Sequence, residues 1–294
     1  MIKLFDSHCH LQDTRILNLA PKLIKETIDT GVMYFSVNGV SEKDWHLVKE
    51  MSDEYPSVVP NFGLHPWFIS DRTPNWINKL KELLASTPSA AVGEIGIDKG
   101  SKAKQIDFND QVEVFRQQLQ LAKQLNKPAS VHCVRAFGDL LDILNSEGPF
   151  PSGIVLHSYL GSAEMVPELS RLGAYFSFSG FLMSMKESKA KKMLKAVPHD
   201  RILLETDAPD AQPKVDSQDS LFYVKGGDSS LGVDENNPSI SDENFNHPAN
   251  IRHVLTFVSN LLEMEEKEVA QLSYENAVRL FSYEGSKVVQ QENA

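Results

Sequence analysis

Three observations predict an α/β fold, a (β/α)8 TIM barrel of the metal-dependent hydrolase type. Eight short apolar runs recur along the chain, separated by amphipathic stretches of helical period. Strands alternating with helices point to a parallel sheet. The chain has 294 residues, and eight βα units in that length suit a closed barrel in one domain. The competing doubly wound sheet should carry a glycine-rich phosphate turn after its first strand. The residues there, "SHCHLQD", hold no glycine.

The eight strands are expected at 3–8, 32–37, 58–64, 90–97, 128–133, 153–158, 174–179 and 201–207. Between them, "ILNLAPKLIKETIDTG" has apolar residues at helical spacing and stops on Gly31. "TPNWINKLKELLAST" offers Thr73 as N-cap and Pro74 as first helical residue. "DFNDQVEVFRQQLQLAKQLN" is long and amphipathic, and "AEMVPELSRLG" ends on Gly173. Residues 213–246 lack periodicity and are rich in Ser, Asp, Asn and Gly. They are expected to form a surface loop inserted after the eighth strand, or a lid over a site there. Two helices, within 248–264 and 265–283, should complete the outer layer. The barrel domain is thus expected to span 1–283, with 284–294 as a flexible tail.

Composition excludes several classes. Hydrophobic residues make up 41 %, enough for a large core, yet no apolar run approaches the ~20 residues of a membrane span. The start, "MIKLFDSHCH", lacks the charged and apolar regions of a secretory signal, so a cytoplasmic (alternatively nuclear) protein is expected. Two cysteines, Cys9 and Cys133, are too few for a disulfide scaffold and read as small apolar side chains. A net charge of −11 argues against a protein that coats long nucleic acids. It leaves room for an enzyme that handles a strand end and neutralises phosphate with metal ions.

Barrel active sites lie at the C-terminal ends of the strands. The first expected strand ends in His8 and His10, the third in His65, the fourth in Glu94, the fifth in His132, the sixth in His157 and the eighth in Asp207. Five of the nine histidines therefore fall on one rim, a distribution that scattered core or surface histidines would not produce. Strict alternation along a strand would turn Asp6, His8 and His10 to one face and Ser7 and Cys9 to the other. Imidazole and carboxylate ligands suit Zn, Mn or related divalent ions. Four histidines and two carboxylates exceed one tetrahedral site and fit two ions sharing a bridge. Glu94 is the natural bridge, with His8, His10 and Asp207 on one ion and His132 and His157 on the other.

Two such ions suit displacement at phosphorus, and Asp207 can also serve as general base. Asp6 and Glu205, two residues before ligands, are candidates to orient the imidazoles, or simply for hydrogen bonds inside the barrel. Arg135 offers a planar fork for phosphate, or a rim salt bridge. Lys99, Lys102 and Lys104 form a basic cluster after Glu94, and Trp67 and Phe68 could stack on a base or merely pack. No P-loop, zinc finger or G-x-S-x-G elbow is present.

The ordered set "FDSHCHL", "GLHPW", "VGEIGID", "VHC", "LHSYLGS" and "LLETDAP", with "S.ENAVRLF" near the C-terminus, resembles the TatD-related DNase family of metal-dependent hydrolases. The resemblance covers almost the whole chain apart from the insertion. It implies a TIM barrel and a divalent-metal deoxyribonuclease trimming single-stranded DNA from the 3′ end, with two ions (Mg, Mn or Zn). It implies metal ligands at His8, His10, Glu94, His132, His157 and Asp207, and contact between His65 and the substrate phosphate. An ester or amide hydrolase, such as a D-aminoacyl-tRNA deacylase, is the alternative, because the same ligand set can serve a carbonyl. A purely metal-binding protein is disfavoured because no ligand is missing. DNA is the expected partner; no membrane is expected and no protein partner is deducible. The chain departs from the family pattern at Asn246-His247-Pro248, where Asn-Glu-Pro is usual, and in the longer insertion.

Overall fold

The computed structural model describes residues 2–215, 221–225 and 244–288. Eight strands form one parallel sheet in sequence order: β1 (Leu4–Cys9), β2 (Val32–Asn38), β3 (Val58–Phe62), β4 (Ala91–Asp98), β5 (Ala129–Val134), β6 (Ile154–Leu156), β7 (Ala174–Phe178) and β8 (Ile202–Leu204). The seam between β1 and β8 closes just beyond the strand ends. There Asp207 N–H donates to the His8 carbonyl at 2.9 Å and His10 N–H to the Ala208 carbonyl at 2.7 Å. The barrel expected from the sequence is the fold observed.

Helices α1 (Ala20–Asp29), α2 (Trp45–Glu54), α3 (Trp76–Ser86), α4 (Phe108–Gln124), α5 (Phe137–Glu147), α6 (Val166–Arg171), α7 (Glu187–Ala196), α8 (Ile251–Leu262) and α9 (Glu266–Phe281) surround it. Their buried faces and the outward strand residues make one continuous apolar layer that includes Phe35, Val37, Phe115, Leu140 and Val254. A second cluster joins Phe5, Val59, Val155, Tyr175 and Leu203. These come from β1, β3, β6, β7 and β8, and residues of strands that are not neighbours can meet only inside the barrel. Leu280 and Phe281 of α9 pack against them and close that end.

Three expectations need correction. Helix α3 begins at Trp76 with Asn75 before it, not at Thr73 and Pro74. Thr73 is drawn away by Glu42, which accepts from its amide and its hydroxyl at 2.7 Å each. Residues 284–288 are packed rather than trailing: Val288 is buried beside Phe281, and Lys287 donates to Ser52 Oγ at 2.7 Å. The remaining tail residues, 289–294, lie outside the described residues. So do 216–220 and 226–243 of the inserted segment, and the lid reading with them. Within the described parts of that segment a two-stranded antiparallel ribbon forms, β9 (Tyr223–Lys225) with β10 (Asn244–Asn246). Asn246 ties the ribbon to the rim, donating to the Thr206 carbonyl at 3.0 Å. Among the described residues no helix is long and apolar enough to cross a membrane.

Candidate metal centre

Two β-bulges aim the first ligands. In β1 the pairing with β2 slips between Asp6 and Cys9, so three steps of one strand match two of the other. Strict alternation therefore fails at this point. Ser7 Oγ meets Ser177 Oγ of β7 at 2.7 Å, and the next residue, His8, meets Ser130 Oγ of β5 at 2.8 Å. Both point into the barrel. Cys9 turns outward into the apolar layer, and His10 faces the site again. Asp6 does not share that face: its carboxylate accepts from the Thr206 amide at 2.9 Å and the Thr206 hydroxyl at 2.5 Å. It therefore holds the segment leading to Asp207 rather than an imidazole.

In β4 the slip falls between Val92 and Ile95 and delivers Glu94 to the interior. Gly93 is required there, since a Cβ would lie 2.8 Å from both the Asn38 and Ser130 side chains. At the other strand ends the backbone turns through left-handed conformations, at Arg135 (φ 54°), Ser158 (φ 43°) and Asp207 (φ 51°). Such residues cost about 1–3 kcal/mol each and cluster at functional sites.

Glu94, 2 % exposed, stands at the middle. Its Oε2 faces His10 Nε2 at 3.2 Å and His8 Nε2 at 3.6 Å. Its Oε1 faces His157 Nε2 at 2.9 Å, His132 Nδ1 at 3.1 Å and His65 Nε2 at 3.4 Å. Asp207 Oδ1 joins the first group, 3.6 Å from His10 Nε2 and 3.8 Å from His8 Nε2. The carboxylate thus divides the cluster in two, one oxygen to each half. Three overlapping trios have ligand atoms close enough to hold an ion: His8, His10 and Asp207; His8, Glu94 and His157; His65, Glu94 and His132.

The far nitrogens are held from behind. His10 Nδ1 donates to the Asn38 carbonyl at 2.8 Å, and His132 Nε2 to Asp98 Oδ2 at 3.1 Å. His8 Nδ1 is paired with Ser130 Oγ, and Glu205 Oε1 stands 3.5 Å behind His157 Nδ1. With their protons on these outer nitrogens, neutral His10 and His132 aim lone pairs inward. There His10 Nε2 lies 3.2 Å from His8 Nε2, and His132 Nδ1 lies 3.1 Å from His157 Nε2. Nitrogens this close need a proton or a cation between them, so the donor set fits divalent metal.

His65 differs. Its Nδ1 accepts from Trp67 N–H at 3.1 Å, so its neutral form carries the proton on Nε2, toward Glu94. Burial pulls its basicity down to about 4, which keeps it neutral.

Without metal, protons carry the balance of charge. Burial would raise the Glu94 carboxyl, but the facing imidazoles, His65 and His157 foremost, hold it well below the usual range. Burial pulls His10 down, and the Glu94 hydrogen bond and charge more than reverse this, lifting it to about 9. His157 is likewise lifted well above its ordinary value, against burial, by Glu94 and Glu205. His8 is driven by burial, then by His157, to about 3. Burial raises Asp207 to about 7 and Asp6 to about 8.

The remaining sequence candidates fall on the rim or behind it. Arg135 is exposed at the end of β5. Glu205 Oε1 accepts from the Ser158 amide and hydroxyl at 2.7 Å each, besides facing His157. Cys133 is partly exposed, in contrast with the buried Cys9. Asp98, Ser130 and Asn38 escaped the sequence reading. Asp98, four residues after Glu94 in "GEIGID", was the most visible of these.

A family model described as TatD related DNase matches residues 5–282. The chain belongs to this family. It is 31 % identical over 278 residues to a protein of Bacillus subtilis named an uncharacterized metal-dependent hydrolase, YabD, covering 95 % of this chain and 98 % of that one. It is 26 % identical over 214 residues to a protein of Pantoea vagans named 3′-5′ ssDNA/RNA exonuclease TatD, covering 72 % and 81 %. Among solved structures, the TatD homologue YjjV of Escherichia coli K12 superposes with a TM-score of 0.79 at 22 % identity, over 96 % of this chain and 99 % of that one. A TatD family hydrolase of Entamoeba histolytica gives 0.77 at 19 % identity, over 95 % and 97 %. Both share the barrel. The chain is thus a metal-dependent hydrolase of the TatD family, with the clusters above as its candidate metal-binding residues.

Proposed function

We propose that the protein is a deoxyribonuclease that hydrolyses phosphodiester bonds at single-stranded 3′ ends, using two divalent ions (Mg, Mn or Zn). The observation that carries this reading is the division of Glu94, with one oxygen toward His8 and His10, which Asp207 also faces, and the other toward His132, His157 and His65. His8, His10 and Asp207 would hold one ion and His132 and His157 the other, with Glu94 shared between the two groups. Such ions would supply Lewis acidity and an activated water near neutral pH.

The residues do the rest. Asp98, Glu205, Ser130 and the Asn38 carbonyl fix the imidazole orientations from behind. Asp207, beside His8 and His10, would accept the proton of the attacking water. His65, with its proton on Nε2, donates to a substrate phosphate oxygen instead of ligating metal. Arg135 offers its planar fork to a second phosphate. The 3′ polarity is supported by the likeness to the Pantoea vagans protein named 3′-5′ ssDNA/RNA exonuclease.

The test uses metal-stripped protein, with Mg, Mn or Zn returned singly and a single-stranded oligomer labelled at one end or the other. The reading expects metal-dependent laddering of the 5′-labelled strand and immediate label loss from the 3′-labelled one. Absence of cleavage with every metal would contradict it and turn attention to carbonyl substrates.

A further inference from the structure

Trp67 stands where the metal centre meets the open rim. It lies just beyond His65 after β3 and is partly exposed, whereas Trp45 and Trp76 are buried at 4 % and 6 %. Its indole is edge-on to His65, with ring centroids 4.6 Å apart, and to His132 at 5.8 Å. Its Nε1 donates to Asp98 Oδ2 at 2.6 Å, the same oxygen that receives His132 Nε2. The ring is therefore fixed in orientation by a ligand's own support. A flexible cation lies over its face: the Lys102 ammonium sits 4.2 Å from the ring centroid. Lys102 comes from the loop after β4 and is itself exposed.

We propose that Trp67 is a base-stacking platform for the nucleotide adjoining the cleaved phosphate, with Lys102 as a displaceable cover that moves to the phosphate backbone when a base arrives. The proposal rests on the nuclease reading and adds to it how the strand is gripped. A rigid indole beside the reacting centre gives any base a π-face, so the grip is tolerant of sequence. It also requires an unpaired base, which selects single strands. A Lys ammonium over an indole is a weak contact at an exposed position, and exchanging it for a base loses little because the freed charge meets phosphate. The hydrogen bond to Asp98 gives Trp67 a second task, positioning His132, and the two tasks separate by substitution.

The test is a fluorescence titration of the Zn-loaded full chain with a short single-stranded DNA of hydrolysis-resistant phosphorothioate linkages, in wild type, Trp67→Phe and Trp67→Leu. Trp45 and Trp76 remain in every variant as a buried reference. The oligomer is expected to quench the wild type, and, read by the fluorescence anisotropy of a fluorescein-labelled copy of the same oligomer, Trp67→Leu is expected to bind about tenfold or more weakly. Trp67→Phe keeps a stacking ring without the Asp98 bond, so its oligomer affinity should stay close to wild type while its Zn affinity falls. Oligomer affinity unchanged in Trp67→Leu, with Zn affinity lowered equally in both variants, would mean a structural role only and overturn the proposal. Hydrolysis of DNA by wild type without any quench would overturn stacking and leave the nuclease reading standing. Quench without hydrolysis under any metal would support stacking and sink the nuclease reading.

Discussion

Raising the pH should weaken the metal-free protein while it strengthens the metal-loaded one. His10 is the clearest source. Its folded value is lifted from 6.5 to about 9, so between these values the folded chain holds a proton that the unfolded chain has released. That stabilisation is complete below 6.5 and is lost as pH rises through about 9. The difference corresponds to about 3 kcal/mol. Asp207 and Asp6 act in the same direction. Each prefers its neutral form when folded, so a stabilisation complete below 3.8 is lost as pH rises through about 7 for Asp207 and about 8 for Asp6. Metal binding runs the other way, because ligands must shed their protons to bind. The assay is the melting temperature of chelator-stripped and Zn-loaded protein at about pH 6 and about pH 9, at one ionic strength. At roughly 2–4 °C per kcal/mol for a chain of this size, His10 alone should lower the metal-free melting point by roughly 6–12 °C over that interval. The Zn-loaded protein should gain over it. Parallel curves, or a metal-free protein that becomes firmer with pH, would refute the charge assignment.

Other expectations are more local. Asp98→Asn should weaken Zn binding by about 10–100-fold through the loosened His132, measured by competition with a chelating dye. Gly96→Ala should cost about 1–3 kcal/mol or more in denaturant unfolding, because its Cβ would lie 2.0 Å from the His132 carbonyl oxygen at φ +150°; an unchanged midpoint would show that the β4–β5 contact is looser than described. Arg15 pairs with both Asp13 and Asp210 across the barrel seam at 2.8 Å, but all three side chains meet solvent. Arg15→Ala should therefore cost less than about 1 kcal/mol, and a larger loss in thermal unfolding would make that seam a structural dependency.

The barrel was legible because its signal is local and repeated. Each parallel strand is buried on both faces, so runs such as "AAVGEIGI" and "RILLET" read as apolar in the sequence. The ligands were legible because the fold puts strand ends on one rim, and His8, His65, His132 and His157 each end such a run. What escaped depends on partners distant in sequence. Ser130 and Asn38 look like ordinary strand polar residues until β5 and β2 place them behind His8 and His10. The bulge in β1 also left no mark that alternation could read. It spared the pairing of His8 with His10 but removed Asp6 from their face. Thr73 and Pro74 carried a valid helix-start pattern, and Glu42, from another loop, outcompeted it.

The central claim is that Glu94 joins two metal half-sites, and the most direct measurement is Zn stoichiometry in wild type and Glu94→Gln. Glutamine keeps the shape and removes the charge that faces His8 and His10 on one side and His132 and His157 on the other. After stripping, reloading and gel filtration, elemental analysis should give two Zn per wild-type chain and loss of both from Glu94→Gln. A single Zn in wild type, or two retained in Glu94→Gln, would contradict the bridge.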